Sequence, residues 1–379
     1  MKICFVHSFR VENEEHLGFL CNIPSRTKKL LGENAEVIFM YEGKKYNSNL
    51  FDDDIKLINY GMASNSYLIR VINKVIMPFK LYRFCKSNGI DIVMNLSNHH
   101  SFFMICWSGK FGGAKGIARV VGGIPYVGPM PLTRKIKKKA YLYLEKISLK
   151  TADRVYCISD SLKRRLEQNG SGGANIEVIS PGIDTRYFQP KKLDEVMKRP
   201  KRFLFVGRIV KRKGIEEAIQ AFIKAKKEFP DLEFDIYGRG DDFDSLYEKY
   251  GGLDGVNFKG YVSMRELPNI YYYSDIFLFL SHYEGLGNVI LEAMASMVPI
   301  IATDVDELSS MIDNERGILV APGEVDQATA AIIKMVSNKD FRVDCACKAY
   351  DYVVKKHSFD NVRDKTLSFF KSVLSEVPK

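Results

Sequence analysis

The chain has 379 residues, with 56 Lys and Arg against 46 Asp and Glu, a formal net charge of +10, and 46% hydrophobic residues. That length holds two domains comfortably, and the ordinary composition excludes an intrinsically disordered chain. The basic balance points to acidic partners, whether nucleotide phosphates, nucleic acid or an anionic membrane surface, and does not choose among them.

From residue 2 to about 190, short apolar runs alternate with longer amphipathic segments. Strands are predicted at 2–6, 36–40, 91–95, 116–121, 154–158 and 177–179, with helical stretches between them. Such alternation reads as parallel α/β. The first run is too short for a secretory signal and no later stretch has the length of a membrane span, so the chain is expected to be cytoplasmic. Seven scattered cysteines, an odd number without a framework, agree with reduced thiols. Cys345 and Cys347 have no second ligand pair nearby and read as structural, so no metal site is expected. Ser159 has the character of a helix N-cap, Gly170 of a stop signal, and 171–173 of a turn.

Segment 134–150, RKIKKKAYLYLEKISLK, places Ile136, Ala140, Tyr143, Leu144 and Ile147 on one helical face with lysines elsewhere. A sheet-packing helix with a solvated basic face has this pattern, and so does a helix lying on an anionic membrane. No nucleic-acid motif accompanies the charge, so nucleic acid is not an expected partner. The polar, proline-bounded stretch 184–202 has a linker's composition. A second series follows, with strands at 202–206, 233–237, 256–258, 276–280, 300–302 and 318–320. Two such series predict two doubly wound, Rossmann-like domains facing across a cleft, with ligands at the carboxyl ends of the strands.

Three of those ends carry chemistry. After the apolar run 276–280, a polar loop holds Glu284 and the turn Gly285-Leu286-Gly287, and a helical pattern begins near Asn288 and Val289. A helix start behind glycines presents backbone N–H groups and a positive dipole end to an anion. Glu284 and Glu292 flank it; carboxylates repel phosphates, so they are expected to hold neutral hydroxyls, which suggests sugar rings on both sides of a phosphate group. Immediately after 202–206 comes GRIVKRKG, in which Gly207 permits a tight exit and Arg208 and Lys213 can clamp a diphosphate as a bidentate guanidinium and a point charge. The third end, Gly238-Arg239-Gly240, is a weak signal alone. A solvated charged loop and an ordinary glycine turn would account for each piece separately; their coincidence favours a phosphate site.

Together, GRIVKRKG (207–214), YGRGDD (237–242), FKGYVSMREL (258–267), SDIFLFLSHYEGLGNVILEAMASMVPIIAT (274–303) and GILVAPGE (317–324) resemble glycosyltransferase family 4, in that family's order. ADRVYCISDSLKRRL (152–166) and ISPGIDTRYFQP (179–190) resemble its segments leading out of the first domain, more loosely. The resemblance implies the GT-B fold, with an acceptor-binding domain over 1–190, a donor-binding domain over 191–358 and a final helix, about 359–379, rejoining the first. It implies retaining transfer of a hexosyl unit from a nucleotide-diphosphate sugar to an acceptor; the basic segment 134–150 favours a carbohydrate or lipid-linked acceptor near the inner face of a membrane, as in surface polysaccharide or glycolipid assembly. Carried over, Arg208 and Lys213 would neutralise the leaving diphosphate, amides around Leu286, Gly287, Asn288 and Val289 would bind it, Glu284 would hold the donor sugar, Glu292 the ribose, and backbone near Val262 would meet the base. Nothing in that chemistry calls for a resident cofactor or metal.

The first domain departs from its relatives. No histidine stands at 118–123, where many members carry one; His99, His100 and Gly122 are the nearby acceptor-side candidates, with Arg10 in the His7-Ser8-Phe9-Arg10 segment that replaces the usual glycine-rich loop. Ser180-Pro181-Gly182 replaces the more usual Pro-Asn-Gly. Rival readings are a nucleotide-sugar epimerase and an inactive sugar-nucleotide-binding scaffold. A dinucleotide oxidoreductase is weaker, because no G-x-G-x-x-G follows either first strand.

Overall fold

A computed structural model of the chain describes residues 1–11, 14–43, 55–61, 67–96, 102–121, 132–171, 175–285, 287–313 and 315–375. Two compact units are present, one of residues 1–180 with 362–379, the other of residues 181–361.

In the first unit the elements run β1 (Lys2–Val11), α1 (Glu14–Leu31), β2 (Glu36–Gly43), β3 (Ile55–Gly61), α2 (Tyr67–Asn88), β4 (Ile92–Asn95), α3 (Phe102–Phe111), β5 (Lys115–Val120), α4 (Leu132–Thr151), β6 (Arg154–Cys157), α5 (Asp160–Leu166) and β7 (Ile176–Val178). All seven strands are parallel, in the order β3-β2-β1-β4-β5-β6-β7. Strand β3 escapes the sequence pattern because it is an edge strand carrying Lys56 and Asn59, with only Ile55 and Tyr60 buried. Strand β1 runs on past Val6 after a register shift, so Arg10 is a strand residue paired with Glu42 rather than a loop residue. Ser159 caps α5 as expected, accepting from the Leu162 N–H at 3.2 Å.

The second unit contains α6 (Leu193–Met197), β8 (Arg202–Val206), α7 (Ile215–Lys226), β9 (Glu233–Tyr237), α8 (Phe243–Tyr250), β10 (Val256–Gly260), α9 (Leu267–Tyr272), β11 (Ile276–Phe279), α10 (Asn288–Ala295), β12 (Ile300–Thr303), α11 (Asp306–Ile312), β13 (Ile318–Val320), α12 (Val325–Ser337) and α13 (Lys339–His357). Its parallel sheet has the order β10-β9-β8-β11-β12-β13. Strands β11 and β12, IFLF and IIAT, are buried along their whole length, as strands covered on both faces must be. Helix α7 shows the complementary pattern: Ile215, Ala218, Ile219 and Phe222 face inward, acids occupy its first turn and lysines its last, matching the helix dipole.

Stretch 184–202, read as a linker, is packed into the second unit. The buried Arg342 guanidinium lies within hydrogen-bond distance of five carbonyl oxygens, those of Val196, Met197 and Lys198 on one side and of Met335 and Val336 on the other. Lys191 is also buried, donating to the Ser274 carbonyl. The last helix, α14 (Phe359–Ser375), spans both units; its Phe369, Phe370 and Val373 enter the first unit's core beside Ile3, Phe5 and Tyr156.

Candidate functional site

In the second sheet the chain runs β8, β9, β10 to one side and then crosses to β11 on the other side of β8. The carboxyl ends of β8 and β11 therefore form the topological switch point, where open α/β sheets bind ligands. Gly207 and Arg208 leave β8 there, and the loop 281–287 leaves β11.

The two loops are locked together through Gly214. Its backbone is left-handed, at φ 62°, and a Cβ would overlap the Leu280 carbonyl oxygen, so only glycine lets the start of α7 lie against the end of β11. The contact sets Lys213 beside residues 281–284. His282 N–H donates to the Arg212 carbonyl at 2.8 Å, tightening the junction. Lys213 is buried, with its ammonium 4.8 Å above the Phe279 ring and donating to Glu284 Oε1. Glu284 is buried too; its Oε1 also accepts from the Ser281 hydroxyl at 2.9 Å and lies 3.6 Å from Arg212 Nη1. Burial pushes the Lys213 ammonium below the ordinary lysine value; Glu284 opposes that shift, while Arg212 and Arg208 add to it. The pocket thus concentrates three cations against one carboxylate, an arrangement that favours an added anion.

Helix α10 begins on the same loop. Gly287 is left-handed, at φ 71°, no side chain caps the N-terminus, and Asn288 is exposed. One turn into the helix Glu292 is buried, its Oε2 accepting from the Tyr271 hydroxyl at 3.1 Å; that hydroxyl also lies 3.2 Å from the Val289 carbonyl oxygen. Tyr271 was not singled out by sequence because it stands in a run of three tyrosines, 271–273, without a motif; its only distinguishing property is a ring buried between Phe188 and Phe277 with its polar tip turned to Glu292. Arg212 was likewise counted only among the basic residues of its loop.

Arg208 is exposed, and Gly207, Val262 and Gly285 are half-buried on loops at these strand ends. Gly238 closes the floor: its N–H donates to the Gly260 carbonyl at 2.7 Å, and a Cβ there would overlap the Gly207 carbonyl oxygen. Leu286, His99, His100 and Gly122 lie outside the described residues. Arg10 belongs to the first unit, whose own switch point lies between β1 and β4. The second unit therefore gathers Arg208, Lys213, Glu284 and the start of α10 at one switch point, with Glu292 one turn further into α10. Among the described residues no group of three or more His, Cys, Asp and Glu could hold a metal ion.

Comparison with known proteins bears on this arrangement. The family model Glycosyltransferase Family 4 matches residues 50–187, and the model Glycosyl transferases group 1 matches residues 188–352. An uncharacterized glycosyltransferase of Methanocaldococcus jannaschii is 28% identical over 217 residues, 54% of this chain and 55% of that protein. The GDP-mannose-dependent alpha-(1-6)-phosphatidylinositol monomannoside mannosyltransferase of Mycobacterium tuberculosis is 22% identical over 362 residues, covering 90% of this chain and 91% of its own. The chain spans about half the length of the first curated relatives it matches. Among solved structures, Anabaena HepE in complex with UDP-glucose superposes with a TM-score of 0.75 over 98% of this chain and 100% of its own, at 14% identity. Two contiguous family models running from residue 50 to residue 352, carried on two parallel doubly wound sheets of the GT-B kind, show that the chain belongs to the family 4 glycosyltransferases.

Proposed function

We propose that the protein is a retaining glycosyltransferase that moves a hexosyl unit from a nucleotide-diphosphate sugar to a carbohydrate or lipid-linked acceptor, in surface polysaccharide or glycolipid assembly. The observation that carries this reading is the joining of Lys213 and Glu284 at the β8/β11 switch point, beside the uncapped start of α10. Breaking the bond between the anomeric carbon and the diphosphate oxygen leaves negative charge on the diphosphate. Lys213 and Arg208 stabilise that charge as it develops, and the N–H groups of residues 286–289 meet the same group. Glu284 holds hydroxyls of the donor sugar next to the reacting carbon, Glu292 holds the ribose, and backbone at Val262 meets the base. Gly207, Gly238 and Gly285 let main chain approach the ligand.

Relatives give the reading its context: HepE is a protein solved with UDP-glucose, and the mycobacterial relative is a mannosyltransferase acting on a phosphatidylinositol monomannoside. On the acceptor side we assign Arg10, His99, His100 and Gly122, from the first unit. The basic helix α4 supports a peripheral position on the inner, anionic face of a membrane, near a lipid-linked acceptor.

A thermal-shift panel of nucleoside diphosphates and nucleotide sugars tests the donor, since a ligand of the folded state raises the melting temperature. The Glu292→Gln variant should lose sugar transfer while unfolding at nearly the same temperature. Full transfer by that variant would sink the site assignment, and an epimerised nucleotide sugar as the product formed without any acceptor would replace transfer by epimerisation.

A further inference from the structure

Helices α2, α3 and α4 lie side by side on one face of the first sheet, α2 packing on α3 and α3 on α4. A helix covering a sheet ordinarily turns its apolar stripe inward and a polar face to water. Helix α2 does more than that. Its inner side buries Met77, Leu81 and Cys85 against strand residues Cys4, Val6 and Ile38. On its outer side Ile72, Val75, Ile76 and Phe79, at the i, i+3, i+4, i+7 spacing of one stripe, are all exposed, Val75 by 58% and Phe79 by 69%. Helix α3 buries Ile105 and Cys106 and presents Trp107, 51% exposed, edge-to-face with Phe111 at 4.7 Å.

Helix α4 bears on the two readings its sequence left open, a stripe packed on the sheet and a stripe turned outward. The buried residues in its second half are Glu145, Ser148 and Leu149, whereas Tyr143 and Leu144, placed by periodicity on the apolar side, face outward. Half of the sixteen exposed large apolar side chains among the described residues lie on these three helices, which is far more than scattered surface residues would give. Charge is concentrated in the same place. The three helices contain thirteen Lys and Arg and one acid, Glu145, which is buried and paired with Arg165 at 3.2 Å. Arg83, Lys86, Lys110, Lys139 and Lys150 are exposed.

We propose that α2, α3 and α4 together form a docking face for an anionic phospholipid bilayer, with the Ile72–Phe79 stripe and Trp107 entering the headgroup–acyl boundary and the basic side chains meeting lipid phosphates. This deepens the membrane association proposed above, rests on it, and moves its centre from α4 alone to α2 and α3. An anionic bilayer satisfies both halves of the face at once. A second copy of the chain would bring two strongly basic surfaces together, and a nucleic acid would satisfy the charge while leaving Val75 and Ile76 without a partner.

Trp107 is the only tryptophan in the chain, so intrinsic fluorescence reports on this face without any substitution. With the full-length protein, vesicles of phosphatidylcholine and phosphatidylglycerol should shift Trp107 emission to the blue, and brominated acyl chains should quench it; pure phosphatidylcholine vesicles should do neither, and added salt should weaken the effect. The Val75→Glu/Phe79→Glu variant should partition at least tenfold more weakly, and Lys139→Glu/Lys150→Glu more weakly with a shallower salt dependence, both with unchanged melting temperature and unchanged nucleoside diphosphate binding. Sedimentation with anionic vesicles while Trp107 emission stays put would overturn the three-helix face and leave membrane association through another surface. No sedimentation at low salt would overturn both. A blue shift that grows with protein concentration in the absence of lipid, together with a dimer in analytical ultracentrifugation, would assign the face to a second copy instead.

Discussion

Replacing Glu284 by Gln tests whether the second unit is organised around a buried ion pair. Gln keeps the shape and can still accept from the Ser281 hydroxyl, but it leaves Lys213 as a buried cation whose remaining charged neighbours, Arg212 and Arg208, repel it. Removing one partner from a buried pair costs about 3–5 kcal/mol. Here the cost is reduced, because burial already lowers the Lys213 proton affinity and the ammonium can discharge instead of remaining unpaired. That leaves about 2–3 kcal/mol, and in a unit of roughly 180 residues, at about 2–4 °C per kcal/mol, the transition should move down by about 4–12 °C. Differential scanning calorimetry reads the shift directly. A nucleoside diphosphate supplies the missing negative charge, so on the proposed reading it should stabilise Glu284→Gln more than the parent protein. In Lys213→Met/Glu284→Gln the two losses should be less than additive by about 1–3 kcal/mol. Strict additivity, or a Glu284→Gln transition within 1 °C of the parent, would refute the reasoning.

Three further perturbations follow from the same geometry. Tyr271→Phe removes only the hydroxyl beside Glu292, so nucleoside diphosphate affinity should fall about tenfold by calorimetry, the worth of one hydrogen bond to a charged group; a 2′,3′-dideoxy nucleotide, which lacks the hydroxyls proposed to meet Glu292, should bind parent and variant alike. Gly214→Ala must fit a Cβ against the Leu280 carbonyl in a left-handed conformation and should destabilise the second unit by more than about 2 kcal/mol, whereas Gly252→Ala, with nothing within 4 Å, should be silent in the same melt. Burial holds His357 below its ordinary value of 6.5, against a hydrogen bond with the Pro181 backbone, so the unfolded chain takes up a proton that the folded one refuses; stability should fall as pH drops from 7 towards 5, and His357→Gln should flatten that slope in melting curves.

Legibility in the sequence follows physical cause. The second unit's strands were readable because β8, β11, β12 and β13 are short apolar runs between glycines and polar loops and β9 alternates apolar with polar; β8, β9 and β13 fall at the limits the pattern predicts. The Gly214 contact and the Lys213–Glu284 pair were not, since 71 residues separate Lys213 from Glu284 and nothing in the local sequence records their meeting. Tyr271 was invisible for the same reason. In the first unit β3 was hidden by its polar edge character, and α4 stayed open between two readings because periodicity identifies an apolar stripe without saying which way it faces. Its buried side holds Glu145 and Ser148, which no hydropathy pattern would choose, with Arg165 supplying the partner that permits it.

The placement of charge changes what the net +10 means. At the donor loop, Lys213 and Arg212 share Glu284, Arg212 also donates to the Tyr283 carbonyl, and Arg208 leaves the cluster with a small excess of positive charge. The helices α2, α3 and α4, by contrast, hold thirteen of the 56 Lys and Arg but one of the 46 acids, so the remainder of the chain is close to neutral. On the proposed reading, a nucleotide diphosphate meets that small local excess, and Glu284 turns from its ion pair to the donor sugar as the anion arrives. Salt should then weaken nucleotide binding only modestly, because the pair is buried and screened little. On the same reading, the long-range attraction to an anionic surface comes from the three helices, where Arg83, Lys86, Lys110, Lys139 and Lys150 are exposed, and it should weaken steeply as ionic strength rises. A donor affinity more salt-sensitive than vesicle binding would contradict this division of charge between the two surfaces.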